Sequence, residues 1–515
     1  MNCLGFQLRK GTRSFSRRLS TRTRKWPMSS NENAPLYGVK VLDMTRVLAG
    51  PYCTQMLGDL GASIIKIENA STGDDTRAWG PPFAPITKAI KTASEPSDKQ
   101  VSEKGESAYF LGVNRNKLSL ALSFKKTEGQ KILKQIAAEA DVLVENFVPG
   151  TLAKYGLDYK SLKEINPKLI YASITGYGQT GPYSHRAGYD VMVEAEMGLM
   201  HITGEKGGEP VKVGVAVTDI TTGLHASNAI MAALLGRART GKGTYIDVAL
   251  SDCQVSLLAN IASSVLVSGE PDTGRWGTAH PSIVPYEAFP TLDGKIMLGG
   301  GNDSLYKKIC VCLGHPEWAT DERFRNNALR VKHREVLVGM IGDVTKQATT
   351  DHWLKQFEHT GVPYAPINNI QQTLNNHHVL ERGMIMTVDH PSVGPIKHVD
   401  YPVKLSAYER KTTPPPVLGQ HTLQVLRDFL GYSEDKIMKM LEKQAVFLSN
   451  VEETATEDTR SEMERQQGMQ DIQESLNAIE ADLKAAENTS KRNIVVDTDV
   501  QGRDMQPLRA VASKA

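Results

Sequence analysis

"GVKVLDMTRVLAGPYCTQMLGDLGASIIKIE", residues 38–68, is the stretch on which the fold turns. An apolar run, VKVLDM (39–44), precedes PYCTQMLGDLGA (51–62), which reads as a helix; a β-branched run, SIIKIE (63–68), follows. Strand, helix and strand within about thirty residues make one parallel crossover unit. The alternation continues with KLSLAL (117–122), a helix over TEGQKILKQIAAEA (127–140), DVLVENF (141–147), a helix YKSLKEI (159–165), KLIYASI (168–174) and TYIDVAL (244–250). Such a series predicts an α/β fold, a parallel sheet covered by helices.

Outside that core the composition changes. The 515 residues carry 60 Lys and Arg against 58 Asp and Glu, but unevenly. Residues 1–31 hold eight bases and no acid, and lack the apolar core of a secretory signal, so they read as a mitochondrial presequence. Residues 450–515 hold fourteen acids and eight bases and read as an acidic tail, disordered or carrying a short amphipathic helix through Met469, Ile472, Leu476, Ile479 and Leu483. The middle is neutral, which argues against a nucleic-acid partner. No run approaches the roughly eighteen apolar residues of a membrane span. Five cysteines (Cys3, Cys53, Cys253, Cys310, Cys312) fall into no zinc or redox spacing and read as buried thiols in a reducing compartment. A polar insert over 91–107 reads as a surface loop, and the Gly-, Pro- and aromatic-rich stretch 270–330 as a smaller second domain.

The motifs are mostly negative. GYGQTG (176–181) satisfies G-x-G-x-x-G after a strand, yet PYSHRAGYD follows where a dinucleotide site needs a helix. Glu68 ends the second strand as a ribose-binding acid would, but the turn before the first helix, TRVLAGPY, has a single glycine. There is no H-E-x-x-H, no Walker loop and no G-x-S-x-G, and His377-His378 reads as solvated, so no metal is expected. Two acids remain in unusual settings: Asp190 in AGYD, and Asp219 in GEPVKVGVAVTDITTG (208–223), which reads as strand-like through Val217 and then helical. At a helix start Asp219 can be a cap, or a carboxylate held ionised as a nucleophile. The local pattern leaves both readings open.

The chain resembles the class III CoA-transferases, the CaiB/BaiF-type family that also includes formyl-CoA and carnitine CoA-transferases and α-methylacyl-CoA racemases. The shared blocks are residues 38–68, NRNKLSLALSFKKTEG (114–129), ADVLVENFVPGTLAKYGLD (140–158), INPKLIYASITGYGQTGPY (165–183), AGYDV (187–191), VTDITTGLHA (217–226) and LGQHTLQVL (418–426). The resemblance is strongest to the mitochondrial members that pair succinyl-CoA with glutarate. It implies a large Rossmann-like domain built from 36–235 and 340–446, a small α+β domain over 250–330, and a ring-shaped chain interlocked with a second copy as a homodimer. It places the enzyme in the mitochondrial matrix, with acyl-CoA thioesters and small carboxylic acids as substrates and neither a metal nor a permanently bound cofactor.

By resemblance, Asp219 is the nucleophile that becomes an aspartyl-CoA thioester, and Asp190 stands where the formyl-CoA enzyme has an assisting glutamate. The CoA contacts of the family fall on Leu48 and Ala49, on Leu122, Ser123, Phe124 and Lys125, on Asn146, Phe147 and Val148, and on Lys154. Asn69 occupies a position that is basic in the family. Backbone N–H groups near Gly223 are candidate oxyanion donors. Arg77, His185, Arg186, Arg275 and His280 are candidate cations for a second substrate carboxylate. Two other readings are a racemase of the same fold, disfavoured because Tyr189 stands where a racemase has its histidine, and a non-catalytic nucleotide-binding scaffold.

Overall fold

The computed structural model of the chain describes residues 26–27, 31–87 and 105–449. Of the expected presequence (1–31), residues 1–25 and 28–30 lie outside the described residues, as do most of the polar insert and the acidic tail. The large sheet takes its first strands from the stretch quoted above: β1 (Lys40–Met44), then helix α1 (Ala49–Asp59), then β2 (Ser63–Glu68). After a short helix α2 (Ala108–Gly112) come β3 (Lys117–Leu122), α3 (Thr127–Glu139), β4 (Val142–Glu145), α4 (Tyr159–Ile165) and β5 (Ile170–Thr175). Helices α5 (Asp190–Glu196) and α6 (Val217–Thr240) lead to β6 (Tyr245–Ala249), α7 (Leu250–Leu257) and α8 (Ala259–Ser268).

Period-two alternation decides which side chains face which layer. Leu42, Ile65, Leu143 and Tyr171 point into one buried cluster with Ile132, Leu133 and Ile136 of α3. Val41, Ile64, Val142 and Ile170 point into the other, against Cys53 and Leu57 of α1 and Ala226 and Ile230 of α6. A sheet covered on both faces reads as near-continuous apolar strands, which is how these strands read. α6 is long because its body, HASNAIMAALLGRA, is rich in strong helix formers, and it ends where Gly241 turns left-handed at φ 67°.

A second, smaller body is built on an antiparallel sheet of β7 (Tyr286–Pro290), β8 (Lys295–Gly299) and β9 (Tyr364–Pro366), packed by α9 (Asp303–Cys312), α10 (Arg334–Thr345) and α11 (Thr350–Phe357). Its cluster runs from Val284 to Val362, and Tyr364 packs against it. Residues 340–364, assigned from sequence to the large domain, therefore belong to this smaller core. Likewise Leu250 and Cys253 of α7 are buried in the large core rather than the small one. The helix expected to run unbroken over 251–266 bends by 73° between α7 and α8, where Ala259 takes φ 43°.

The chain then returns. Val425, Leu426 and Phe429 enter the first large cluster, α12 (Glu434–Glu442) follows, and β10 (Val446–Phe447) pairs antiparallel with β3 to complete the order β10-β3-β2-β1-β4-β5-β6. Trp26 joins the same cluster, its indole N–H on Ser63 at 3.0 Å and its ring 5.1 Å from Phe429. Trp26 is thus a core residue within the stretch 1–31 expected as a presequence. Cys53, Cys253 and Cys310 are buried free thiols and Cys312 is half-buried.

Candidate active site

Asp219 sits in the first turn of α6. The strand expected before it is a loop over 203–216, since Gly207, Gly208, Pro210 and Gly214 interrupt any ladder and Val215 stays 59% exposed. The residue before the helix, Ala216, has no side chain able to cap it. Asp190, at the start of α5, fills that role across the chain: its Oδ1 accepts the N–H of Thr218 at 2.8 Å and of Asp219 at 3.0 Å. The two readings left open in the sequence are thereby divided between two residues. Asp190 caps, and the Asp219 carboxyl is left free of that duty. Burial, and then the charge of Asp190, push the Asp219 carboxyl up to about 7. A carboxylate raised in this way, with no ion pair to a cation among the described residues, is a more basic group than an ordinary aspartate.

The floor under Asp219 is polar and tightly packed. Thr218 Oγ1 donates to Gln254 Oε1 at 2.6 Å, between α6 and α7. One turn further along α6, Gly223 meets the start of α1: a Cβ there would lie 2.7 Å from the Ala49 carbonyl oxygen. Only glycine permits that approach, which seats the start of α1 against α6 one turn beyond Asp219. No side chain caps α1. Gly223 itself is interior to α6, so its N–H belongs to the helix ladder; its role is close packing rather than the oxyanion donation expected from sequence.

The other predicted contacts cluster at the carboxyl ends of the parallel strands, where open α/β sheets hold ligands. Leu48 and Ala49 follow β1, Asn69 follows β2, Ser123 to Lys125 follow β3, and Asn146 to Val148 follow β4. Phe124 stands edge-on to Phe147 at 5.5 Å and to Tyr155 at 5.4 Å, beside the exposed Lys154, and Arg46 lies over the Phe147 ring at 6.0 Å.

A family model described as CoA-transferase family III matches residues 36–422. The chain belongs to that family. A mouse (Mus musculus) protein named succinyl-CoA:glutarate CoA-transferase is 48% identical over 408 residues, covering 79% of this chain and 89% of its own. A protein of Agrobacterium fabrum named succinate–glutarate CoA-transferase is 44% identical over 402 residues, 77% of this chain and 96% of its own. Among solved structures, a CAIB/BAIF family protein from Brucella suis aligns with TM-score 0.68 and 43% identity over 77% of this chain and 100% of its own.

For this CoA-transferase the structure narrows the candidates taken from sequence. The Leu122 side chain is fully buried in the core, so any contact it makes is through backbone. Asn146 is committed to the turn after β1, accepting the Arg46 N–H at 3.1 Å and donating to the Arg46 carbonyl at 2.7 Å. Asn69 Oδ1 accepts from the backbone and hydroxyl of Ser71, each at 2.9 Å, closing its own turn. Glu68 is no ribose ligand, because it is buried against Arg77 and Ser119. Arg77 is withdrawn from the substrate cations by the same contacts and lies over the Phe110 ring at 3.6 Å. Arg186 pairs with Glu196 at 2.9 Å, and Arg275 binds the Gly208 and His201 carbonyls. His185 and His280 carry no ion pair among the described residues; His280 Nδ1 accepts the Ser282 N–H at 3.1 Å. The glycines of GYGQTG serve a backbone crossing: Gly176 lies so close to Gly188 that a Cβ would sit 2.7 Å from its Cα.

Two site residues escaped the sequence reading. Tyr109 on α2 has its hydroxyl pushed up to about 12 by burial first and then by the charges of Asp219, Asp190 and Asp74. Glu194 lies one turn along α5 from Asp190 and is fully buried. Neither stands in a motif; only the spacing D-x-x-x-E within 190–194 hinted at the second. Among the described residues no group of three or more His, Cys, Asp or Glu side chains is placed to hold a metal ion.

Proposed function

We propose that this CoA-transferase moves CoA from succinyl-CoA to glutarate through a thioester on Asp219. The observation that carries the nucleophile is the Asp219 carboxyl itself: half-buried at a helix start, raised by desolvation and by a second acid, and with no ion pair to a cation among the described residues. The Asp219 carboxylate attacks the succinyl thioester carbonyl, expelling the CoA thiolate and leaving a mixed anhydride. The thiolate attacks the Asp219 carbonyl of that anhydride, releasing succinate and forming aspartyl-CoA. Glutarate repeats the two steps in reverse, so that glutaryl-CoA leaves and the free carboxylate returns. Each step exchanges one acyl bond for another, which conserves the thioester's energy without ATP. The uncapped start of α1 at Leu48 and Ala49 supplies backbone N–H groups for the developing oxyanions, and the crevice over β1 to β4 takes the CoA moiety.

The substrate pair is supported by the names of the mouse and Agrobacterium relatives. Initial rates with succinyl-CoA and glutarate, oxalate, formate or carnitine test it. Glutarate is expected to be fastest; faster transfer to formate would overturn the dicarboxylate assignment.

We also propose a homodimer in the mitochondrial matrix. Helix α8 buries none of its residues, and Leu266 and Val267 are 83% and 88% exposed, an apolar face that a second copy would cover. Light scattering should give twice the chain mass. N-terminal sequencing of protein from mitochondria should find the cut before Trp26.

A further inference from the structure

We propose that Glu145 is a positioning residue for the acyl-CoA substrate: its buried carboxyl group holds the Phe147 N–H and so fixes the turn over Asn146, Phe147 and Val148 against which the CoA moiety binds. This rests on the reading that the crevice over β1 to β4 takes CoA.

Glu145 is the last residue of β4, paired with Met44 of β1 on one side and with Ser173 of β5 on the other. Period-two alternation puts its side chain on the sheet face that carries Leu143 and Tyr171, and it is 5% exposed. An apolar side chain would fill that place without a desolvation penalty. Burial pushes the Glu145 carboxyl up to about 7, although the bonds from Ser173 and Phe147 offset part of the rise. Its contacts show what the group does there. Oε2 accepts the Phe147 N–H at 2.8 Å, and Oε1 accepts the Ser173 hydroxyl, whose oxygen accepts the Tyr245 hydroxyl at 3.1 Å. Both carboxyl oxygens are engaged, so Glu145 holds backbone rather than reacting.

The turn that it holds is tied to the next strand end. Asn146 accepts the Arg46 N–H at 3.1 Å and donates to the Arg46 carbonyl at 2.7 Å, so a shift of the turn after β4 would carry with it the turn that leads into Leu48 and Ala49. With its N–H fixed, Phe147 keeps a half-buried ring edge-on to Phe124 at 5.5 Å, on the segment after β3. Val148, next along, is 48% exposed, so the turn opens outward from the buried carboxyl. One side chain thus orders the chain ends that follow β1, β3 and β4. A ligand that meets contacts already ordered loses less free energy on binding than one that must order them.

A split between KM and kcat tests this. Glu145→Leu leaves the Phe147 N–H without its acceptor and should raise KM for succinyl-CoA about tenfold or more, the worth of a hydrogen bond to a charged group. KM for glutarate and kcat should stay within about twofold, because Asp219 is untouched. Glu145→Gln keeps a carbonyl acceptor for Phe147, so its KM for succinyl-CoA should return to within about twofold of wild type. A Leu variant that loses kcat and raises both KM values alike, or a Gln variant no better than the Leu variant, would overturn the proposal. If the Leu variant does not fold, calorimetry with CoA compares Glu145→Gln with Phe147→Ala. The Gln variant should bind CoA as wild type does and Phe147→Ala more weakly; a Gln variant as weak as Phe147→Ala would overturn the proposal. Unchanged CoA affinity in Phe147→Ala would remove the crevice reading and the proposal with it. Weakened binding in Phe147→Ala beside unchanged binding in Glu145→Leu would overturn the positioning role alone, so the two failures are distinguishable.

Discussion

Two groups of carboxylates lie within the same α/β body, one fully buried and one partly exposed, and they are treated in opposite ways. Under the strand ends, Asp43 meets Lys117 at 3.2 Å, Asp74 meets Lys66 at 2.9 Å, and Glu68 meets Arg77 at 2.7 Å. Burial alone would raise all three carboxyls, but Lys117 and Lys66 for Asp43, Arg77 for Glu68 and Lys66 for Asp74 outweigh it and hold them below the ordinary range. At the start of α6, Asp219, Asp190 and Glu194 gather with no ion pair to a cation among the described residues, and burial pushes Asp219 and Glu194 up. The difference sets the paired acids of the scaffold apart from the acids proposed to act on substrate. Paired acids are inert and hold the turn after β1, where Lys66 also donates to the Thr45 carbonyl at 2.8 Å and Asp74 accepts the Val47 N–H at 3.2 Å. That turn forces Val47 to φ 72°, a strained conformation for a β-branched residue, immediately before the α1 start proposed to bind substrate.

The largest expected effect comes from the unpaired group. Asp219→Ala should lower kcat by at least roughly a thousandfold, since a covalent nucleophile is lost, while binding of CoA, followed by calorimetry, changes little. Next is a change that makes the paired region resemble the unpaired one. Lys66→Met leaves Asp74 buried without its cation and should cost about 3–5 kcal/mol in urea unfolding. A loss under 1 kcal/mol would mean that the lattice does not hold the turn.

A pH profile gives the third. The Asp219 carboxyl is raised, so the reactive anion is lost as pH falls through about 7, and kcat/KM should drop about tenfold per unit below it. Asp190→Asn removes one cause of that elevation, and the acid limb should move to lower pH. It should stay above the ordinary carboxylate range, because burial is the larger cause. The smallest effect is Gly223→Ala, whose new methyl meets the Ala49 carbonyl and should cost about 1–3 kcal/mol.

The scaffold was far more legible in the sequence than the site. The strands could be read because a sheet covered on both faces demands β-branched runs such as SIIKIE, and each expected strand in the repeating series appears close to its place. Asp219 was conspicuous as an acid at a helix start. What actually caps that helix is Asp190, 29 residues earlier, and no local pattern records a bond across the chain. Trp26 looked like part of a basic leader because composition says nothing of the pocket formed by Phe429 and Ser63. The strand expected before Asp219 failed for a local reason, the glycines and Pro210, which were in plain view.

In the proposed reaction the carboxylate of Asp219 becomes covalently bound to CoA. Intact-mass measurement after mixing the protein with succinyl-CoA at about pH 8, followed by peptide mapping, tests it directly. The wild-type chain should gain the mass of CoA less one water, on the peptide that contains Asp219, and Asp219→Ala should gain nothing. The same adduct on Asp219→Ala, or its location on any other residue, would contradict the account.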